Sequence, residues 1–125
     1  MKTSDILRAA WALIDAPEKW WGNGGATGPN GRMCSVAAIG RRVSMGSADF
    51  WKAIYAMKEV LPHRQGIVSF NDSHSWPEVR DMWQRAISFA ERDEALAEQQ
   101  ADGTLGELRE IADEQEFGKR TRSCV

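Results

Sequence analysis

Four residues of this sequence have the side chains that nucleophilic catalysis uses: Cys34, Asn71, Asp72 and His74. A cysteine becomes a nucleophile when a neighbouring imidazole removes its proton, and an amide or carboxylate then orients the imidazole ring. The same residues also have simpler roles. Asn71 and Asp72 are typical turn formers, and Cys34 can pack as a small buried side chain. Both interpretations stay open at the level of sequence.

The chain has six tryptophans in 125 residues, which makes large rings a prominent feature of its composition. Three of them lie on the apolar faces of predicted helices and are expected to be buried: Trp11, Trp51 and Trp83. The other three flank loops, where an aromatic ring often contacts a partner. These are Trp20, Trp21 and Trp76, and together with Asn71, Asp72 and His74 they form the predicted binding site.

The glycine-rich stretch from Trp20 to Arg32 does not match a nucleotide-binding loop. No lysine follows the glycines, as a P-loop requires, and a predicted helix rather than a strand precedes them. We expect a mobile or hairpin-like surface loop instead. The sequence has neither a Cys-x-x-Cys pair nor a His-Glu-x-x-His helix, so neither a metal site nor a cofactor is predicted.

Apolar residues recur with helical spacing in four segments, which predicts a compact, mostly α-helical domain. The helices are expected near 4–15, 34–42, 48–61 and 76–91, with a weaker fifth near 104–115 and at most one short β element near 67–70. The fourth helix has the clearest start, because Ser75 and Glu78 have the spacing of a capping box. Ser47 is expected to cap the third helix, and Cys34 lies at the start of the second.

The charge changes sign along the chain. Residues 1–92 carry twelve basic and nine acidic side chains, whereas residues 93–125 carry four basic and nine acidic ones. We therefore predict a helical core domain, 1–92, and an acidic helical extension that ends in a basic, frayed tail, 93–125. Thr104 and Glu107 have capping-box spacing for the extension's helix. Its apolar face is too thin to fold alone, so we expect it to dock and to give a homodimer through residues 93–117.

Composition also excludes several classes of function. The basic residues of the core domain are scattered and the extension is acidic, so nucleic-acid binding is not expected. The apolar stretch from Ile6 to Ile14 is interrupted by Arg8, and we predict neither a signal peptide nor a membrane span. The chain has two cysteines, Cys34 in a predicted helix and Cys124 in the tail. Such a pair is not a disulfide framework, which favours a reducing, cytoplasmic location.

Three blocks occur in a fixed order: Trp20-Trp21-Gly22 after the first helix, then Cys34 to Ile39, then Phe70-Asn71-Asp72 with Glu78-Val79 and Arg85-Ala86 behind it. In these blocks the chain resembles a family of small bacterial and phage proteins that carry a domain of unknown function, the DUF6197 family. That family usually has tryptophan where Phe70 stands and glycine where Ala37 stands. The resemblance covers about residues 5–91 and implies a mostly helical domain of bacterial or phage origin, without implying an activity.

These observations favour a small non-enzymatic binding protein over an enzyme. We interpret it as an accessory factor of a phage or mobile element that binds a protein partner or sequesters a small ligand. The alternative is a thiol enzyme in which Cys34 is the nucleophile and His74 is the base, with Asn71 or Asp72 orienting the ring.

Overall fold

A computed structural model describes residues 1–62 and 64–114 of the chain, with side chains as far as residue 100. The fold is mostly α-helical, as predicted. Its helices are α1 (Thr3–Trp11), α2 (Ser35–Arg42), α3 (Ala48–Glu59), α4 (Ile67–Ser73) and α5 (Trp76–Glu114), with a short 3-10 helix at Pro29–Gly31. Within the described residues the only β-type pairing consists of two isolated bridges, which join Met33 to Trp20 and to Thr27.

Three of the predicted helix starts are confirmed by their capping hydrogen bonds. The Ser47 hydroxyl accepts from the backbone N–H of Phe50 at 3.2 Å. At α5, both the backbone N–H and the hydroxyl of Ser75 donate to Glu78 Oε1 at 2.9 Å. These two bonds, the backbone one first, lower the pKa of Glu78 below its ordinary value, because they favour the charged carboxylate. At α2 the capping group is the Cys34 thiol.

The sequence allowed at most one short β element near 67–70, and the structure has no strand there, because this segment forms the first turn of α4. Ile67, Phe70 and Asn71 are buried together, and their i, i+3, i+4 spacing is that of one helix face. A run of only four residues does not distinguish a strand from a short buried helix by periodicity. The local pattern of residues 67–70 therefore could not decide between a strand and a helix.

The division of the C-terminal region into two helices, 76–91 and 104–115, is also wrong. A single helix continues from Trp76 to Glu114, so Thr104 lies inside a helix and does not begin one. The intervening sequence is rich in alanine, glutamate and glutamine and contains no proline. Such residues continue a helix readily, and an interior glycine weakens it by only about 1 kcal/mol. Residues 115–125, which include the predicted tail, lie outside the described part.

The chain divides into two units, Met1–Arg92 and Asp93–Val125. The core of the first unit draws apolar side chains from all five helices, and Trp83 is its largest fully buried residue. None of the described helices has a stretch long and apolar enough to cross a lipid bilayer.

Of the three tryptophans predicted to be buried, Trp83 is fully buried, Trp11 is half-buried against the core, and Trp51 is 46% exposed. Its neighbour Phe50 is buried, together with Ile54 and Met57 on the same face of α3. Successive residues of a helix point about 100° apart, so one face of α3 cannot bury both rings of the Phe50-Trp51 pair. The expectation that Trp51 is a core residue is therefore wrong.

Candidate functional site

Asn71 lies at the centre of a buried hydrogen-bond network that joins distant parts of the chain. Its side chain is fully buried. The amide oxygen accepts from Trp20 Nε1 at 2.7 Å. It also accepts from the backbone N–H and the hydroxyl of Ser35, at 3.1 Å and 2.8 Å. The oxygen of Asn71 thus connects the start of the glycine-rich loop to the first turn of α2.

The amide nitrogen of Asn71 completes this network. It donates to the Trp21 carbonyl and to Asp72 Oδ1, both at 2.9 Å. The Ser35 hydroxyl in turn accepts from Trp83 Nε1 at 2.9 Å, which brings α5 into the network. A side-chain amide has two N–H donors and one acceptor oxygen, and in Asn71 all of them are used. The geometry is that of a structural junction whose polar groups are satisfied internally.

The three tryptophans predicted to bind a partner are half-buried in this structure. Trp76 stacks on Trp11 with ring centroids 5.4 Å apart and planes 4° from parallel. Trp20 lies 5.8 Å from Trp76, and Trp11 lies 5.6 Å from the buried Trp83. Such contacts between rings stabilise a fold beyond the area that they bury. Much of the predicted aromatic site is therefore in contact with the chain itself.

Two glycines of the glycine-rich loop lie directly against tryptophan rings. A side chain at Gly22 would collide with the ring of Trp20, and one at Gly28 would collide with that of Trp21. Trp21 Nε1 donates to the Gly24 carbonyl at 2.7 Å, and the Arg32 guanidinium lies 5.6 Å above the Trp21 ring. At Gly22 and Gly28, therefore, the missing side chain is what lets the backbone approach an indole.

Cys34 is positioned by its role at the start of α2. Its sulfur accepts from the backbone N–H of Ala37 at 3.5 Å, and its own backbone N–H donates to the Ala26 carbonyl at 2.7 Å. The side chain is only 3% exposed. A thiol at a helix start can be activated by the helix dipole, but burial limits the access of any substrate.

His74 is held by α4, just before the start of α5. Its ring stacks on Phe70 at 3.8 Å, and its Nδ1 lies 3.0 Å from both the Phe70 carbonyl and the Ser73 hydroxyl. The Ser73 hydroxyl donates its own proton to the Ser69 carbonyl at 2.7 Å. The ring proton must therefore be on Nδ1, which donates to these two oxygens.

The four residues predicted for thiol chemistry are only partly brought together. Asn71 and Asp72 are hydrogen-bonded to each other, and Asn71 contacts Ser35 beside Cys34. No hydrogen bond among the described residues joins Cys34 to His74, and none joins His74 to Asn71 or Asp72. In the described part of the chain, no group of three histidine, cysteine or acidic side chains could hold a metal ion.

Two exposed aromatic residues of α3 were not among the predicted site residues. Tyr55 is 61% exposed and its ring lies 6.1 Å from that of Trp51. The ring of the buried Phe50 contacts that of Trp51 in a T-shaped arrangement, with centroids 5.2 Å apart and planes at 81°. The i, i+4 spacing of Trp51 and Tyr55, about 100° around the helix from Phe50 and Ile54, was the signal that could have identified this face. We call Trp51 and Tyr55 the aromatic face of α3.

Comparisons of the chain with protein-family models, with curated proteins and with solved structures give no match. The resemblance to the DUF6197 family therefore stays a prediction, and the candidate sites rest on geometry alone.

Proposed function

We propose that this protein is a non-enzymatic binding protein whose partner is another protein, contacted through the aromatic face of α3. The observation that carries the proposal is the exposure of Trp51 and Tyr55 side by side on one helix. Tryptophan and tyrosine are the residues most enriched among those that dominate binding energy at protein interfaces.

The packing of these rings favours binding without a large entropic cost. The Phe50 ring contacts Trp51, and Trp51 lies against Tyr55, so neighbouring rings restrict the orientations open to the Trp51 side chain before any partner binds. Ordering side chains on association costs about 0.5–1.5 kcal/mol for each flexible side chain. A face that is already ordered avoids part of that cost.

The burial and hydrogen bonding of the predicted catalytic residues also support a non-enzymatic protein. Asn71 uses its whole hydrogen-bonding capacity inside the fold, and Cys34 is nearly inaccessible. A catalytic amide or thiol needs a free direction toward a substrate. The thiol enzyme remains the alternative function that the experiments below test.

The resemblance to a bacterial and phage family suggests the setting of this function. We propose that the chain acts in the bacterial cytoplasm, as an accessory factor of a phage or mobile element. We also retain the proposal of a homodimer through residues 93–117. The part of this region that the structure describes, Asp93–Glu114, has eight acidic residues and one basic residue.

The proposal is tested by affinity capture from a bacterial lysate, followed by binding measurements with the purified partner. The test variant replaces Trp51 and Tyr55 by alanine, and it should weaken binding about tenfold or more if these rings are central to the interface. The matched control replaces Met45 and Val68 by alanine, because these are exposed apolar side chains outside the aromatic face. Circular dichroism and the unfolding midpoint show whether each variant keeps its fold.

The outcomes separate the candidate functions. Equal binding by the test and control variants would overturn the role of the aromatic face. Capture of a metabolite without a protein would favour sequestration of a small ligand. Turnover of a thioester or amide substrate, abolished by Cys34→Ala, would replace the proposal by the thiol enzyme.

A further inference from the structure

A shallow groove lies at the C-terminal end of α3, where the chain continues toward α4. It consists of two adjoining depressions that share Glu59, Leu61 and Pro62. Val60 and Phe89 contribute half-buried apolar surface on one side. We call this surface the basic groove because of the four cations that line it: Lys58, Arg64, Arg85 and Arg92.

The cations of the basic groove are largely uncompensated. Arg85 forms an ion pair with Asp81, at 2.9 Å, and donates to the Val60 carbonyl. Among the described residues, however, no ion pair is formed by Lys58 or Arg92. Of the described residues that line the groove, Glu59 alone is acidic. A positive, partly apolar concave surface is complementary to an acidic segment that also has apolar side chains.

The chain itself contains a segment of this kind. We call Asp93–Glu114 the acidic segment; it lies within helix α5 and combines eight acidic residues with one basic residue. Ala101, Leu105, Leu108 and Ala112 follow one another at helical spacing in its sequence. A helix with so small an apolar stripe is marginal by itself and is usually stabilised by packing against another surface.

We infer that the basic groove of one copy of this protein binds the acidic segment of a second copy. The inference rests on the homodimer proposed above and names the surface that receives the segment. Two copies can exchange their segments around a twofold axis, so that each groove is occupied and the assembly closes as a dimer. Two equivalent contacts also bury more area than one helix in one groove could.

The test uses the full chain and two matched double variants. Lys58→Glu with Arg92→Glu reverses the charge of the groove, at the last turn of α3 and on α5. Arg41→Glu with Arg80→Glu makes the same charge change at the last turn of α2 and on α5, outside the groove. All four side chains are exposed, so both variants should fold. Sedimentation equilibrium then gives the dissociation constant of the dimer at low and high salt.

We expect the wild-type chain to form a dimer of twice 14.0 kDa that weakens as salt is added. The groove variant should raise the dissociation constant about tenfold or more, and the control variant should change it little. A synthetic peptide of residues 93–114 should compete with dimer formation, whereas a scrambled peptide of equal composition should not.

Two results would show that the basic groove does not bind the acidic segment. If the dimer forms but the two double variants weaken it equally, net charge is responsible and the basic groove is not the receiving surface. If the wild-type chain is a monomer at every concentration, the groove and the dimer are both wrong. Tyr55 belongs to the aromatic face and also lines the basic groove, whereas Trp51 does not line it. The single variant Trp51→Ala therefore tests the aromatic face separately, and neither of these results affects the role proposed for Trp51.

Discussion

The junction around Asn71 and the aromatic face of α3 use similar residues in opposite ways. At the junction, the indole N–H groups of Trp20 and Trp83 each donate to an internal acceptor. On α3, the indole N–H of Trp51 has no acceptor among the described residues, and nearly half of the side chain is open to solvent. An indole that donates internally is fixed to the fold, while one without an acceptor is available to a partner.

The location of a tryptophan relative to loops is therefore a poor guide to its role. Trp20 flanks a loop and is tied to the junction, whereas Trp51 lies within a helix and is exposed. What decides the role of a tryptophan is whether its indole N–H has an internal acceptor and which face of a helix carries the ring.

Replacing Trp83 by alanine should destabilise the protein by about 3–5 kcal/mol, because the change leaves a large cavity in the core and removes the donor to Ser35. Replacing Trp51 by alanine should change the free energy of unfolding by less than about 1 kcal/mol, because the ring is half exposed. Urea denaturation measures both values. A loss below about 1 kcal/mol for Trp83→Ala would show that the core has been assigned incorrectly.

Asn71→Ala should reduce the free energy of unfolding by about 3 kcal/mol, because the two buried donors of Ser35, its backbone N–H and its hydroxyl, lose their acceptor, as does the partly buried Trp20 Nε1. The matched control is Asp72→Ala at the neighbouring exposed position, where the expected loss is about 1 kcal/mol or less. Chemical denaturation of both variants checks the difference. Similar losses in the two variants would mean that the junction contributes little to stability.

The Cys34 thiol should react slowly with a neutral alkylating reagent, about tenfold or more below the rate of a free thiol, because the side chain is buried. The measurement uses a Cys124→Ser background, so that a single thiol is observed. Adding His74→Ala should leave the rate unchanged, since no hydrogen bond among the described residues connects the two side chains. Fast labelling that depends on His74 would support the thiol enzyme.

The smallest expected effect concerns the pH dependence of stability at the start of α5. Because the pKa of Glu78 is lowered in the folded state, its contribution is fully present above the unfolded pKa of about 4.3 and is lost as pH falls through the lower folded value. Glu78→Gln should therefore destabilise the protein at neutral pH and converge with wild type in acid. Thermal unfolding between neutral and strongly acidic pH measures this. A difference that does not vary with pH would contradict the assignment.

The start of a helix is a feature that this sequence determines by itself. Ser47 bonds to Phe50, and Ser75 bonds to Glu78, each within three residues along the chain. Such contacts form wherever the local sequence allows a helix to begin, and the structure confirms both. The burial of Trp83 was predictable for a related reason, since it lies in the middle of a long apolar stripe.

The tertiary structure alone decided the role of Asn71, because its partners Trp20 and Ser35 lie 51 and 36 residues away in the chain. No local pattern identifies which distant donors will meet a buried amide oxygen. The helical form of residues 67–70 and the exposure of Trp51 were decided in the same way. A short apolar run and an adjacent pair of rings each fit more than one arrangement, and packing against the remaining helices selects one of them.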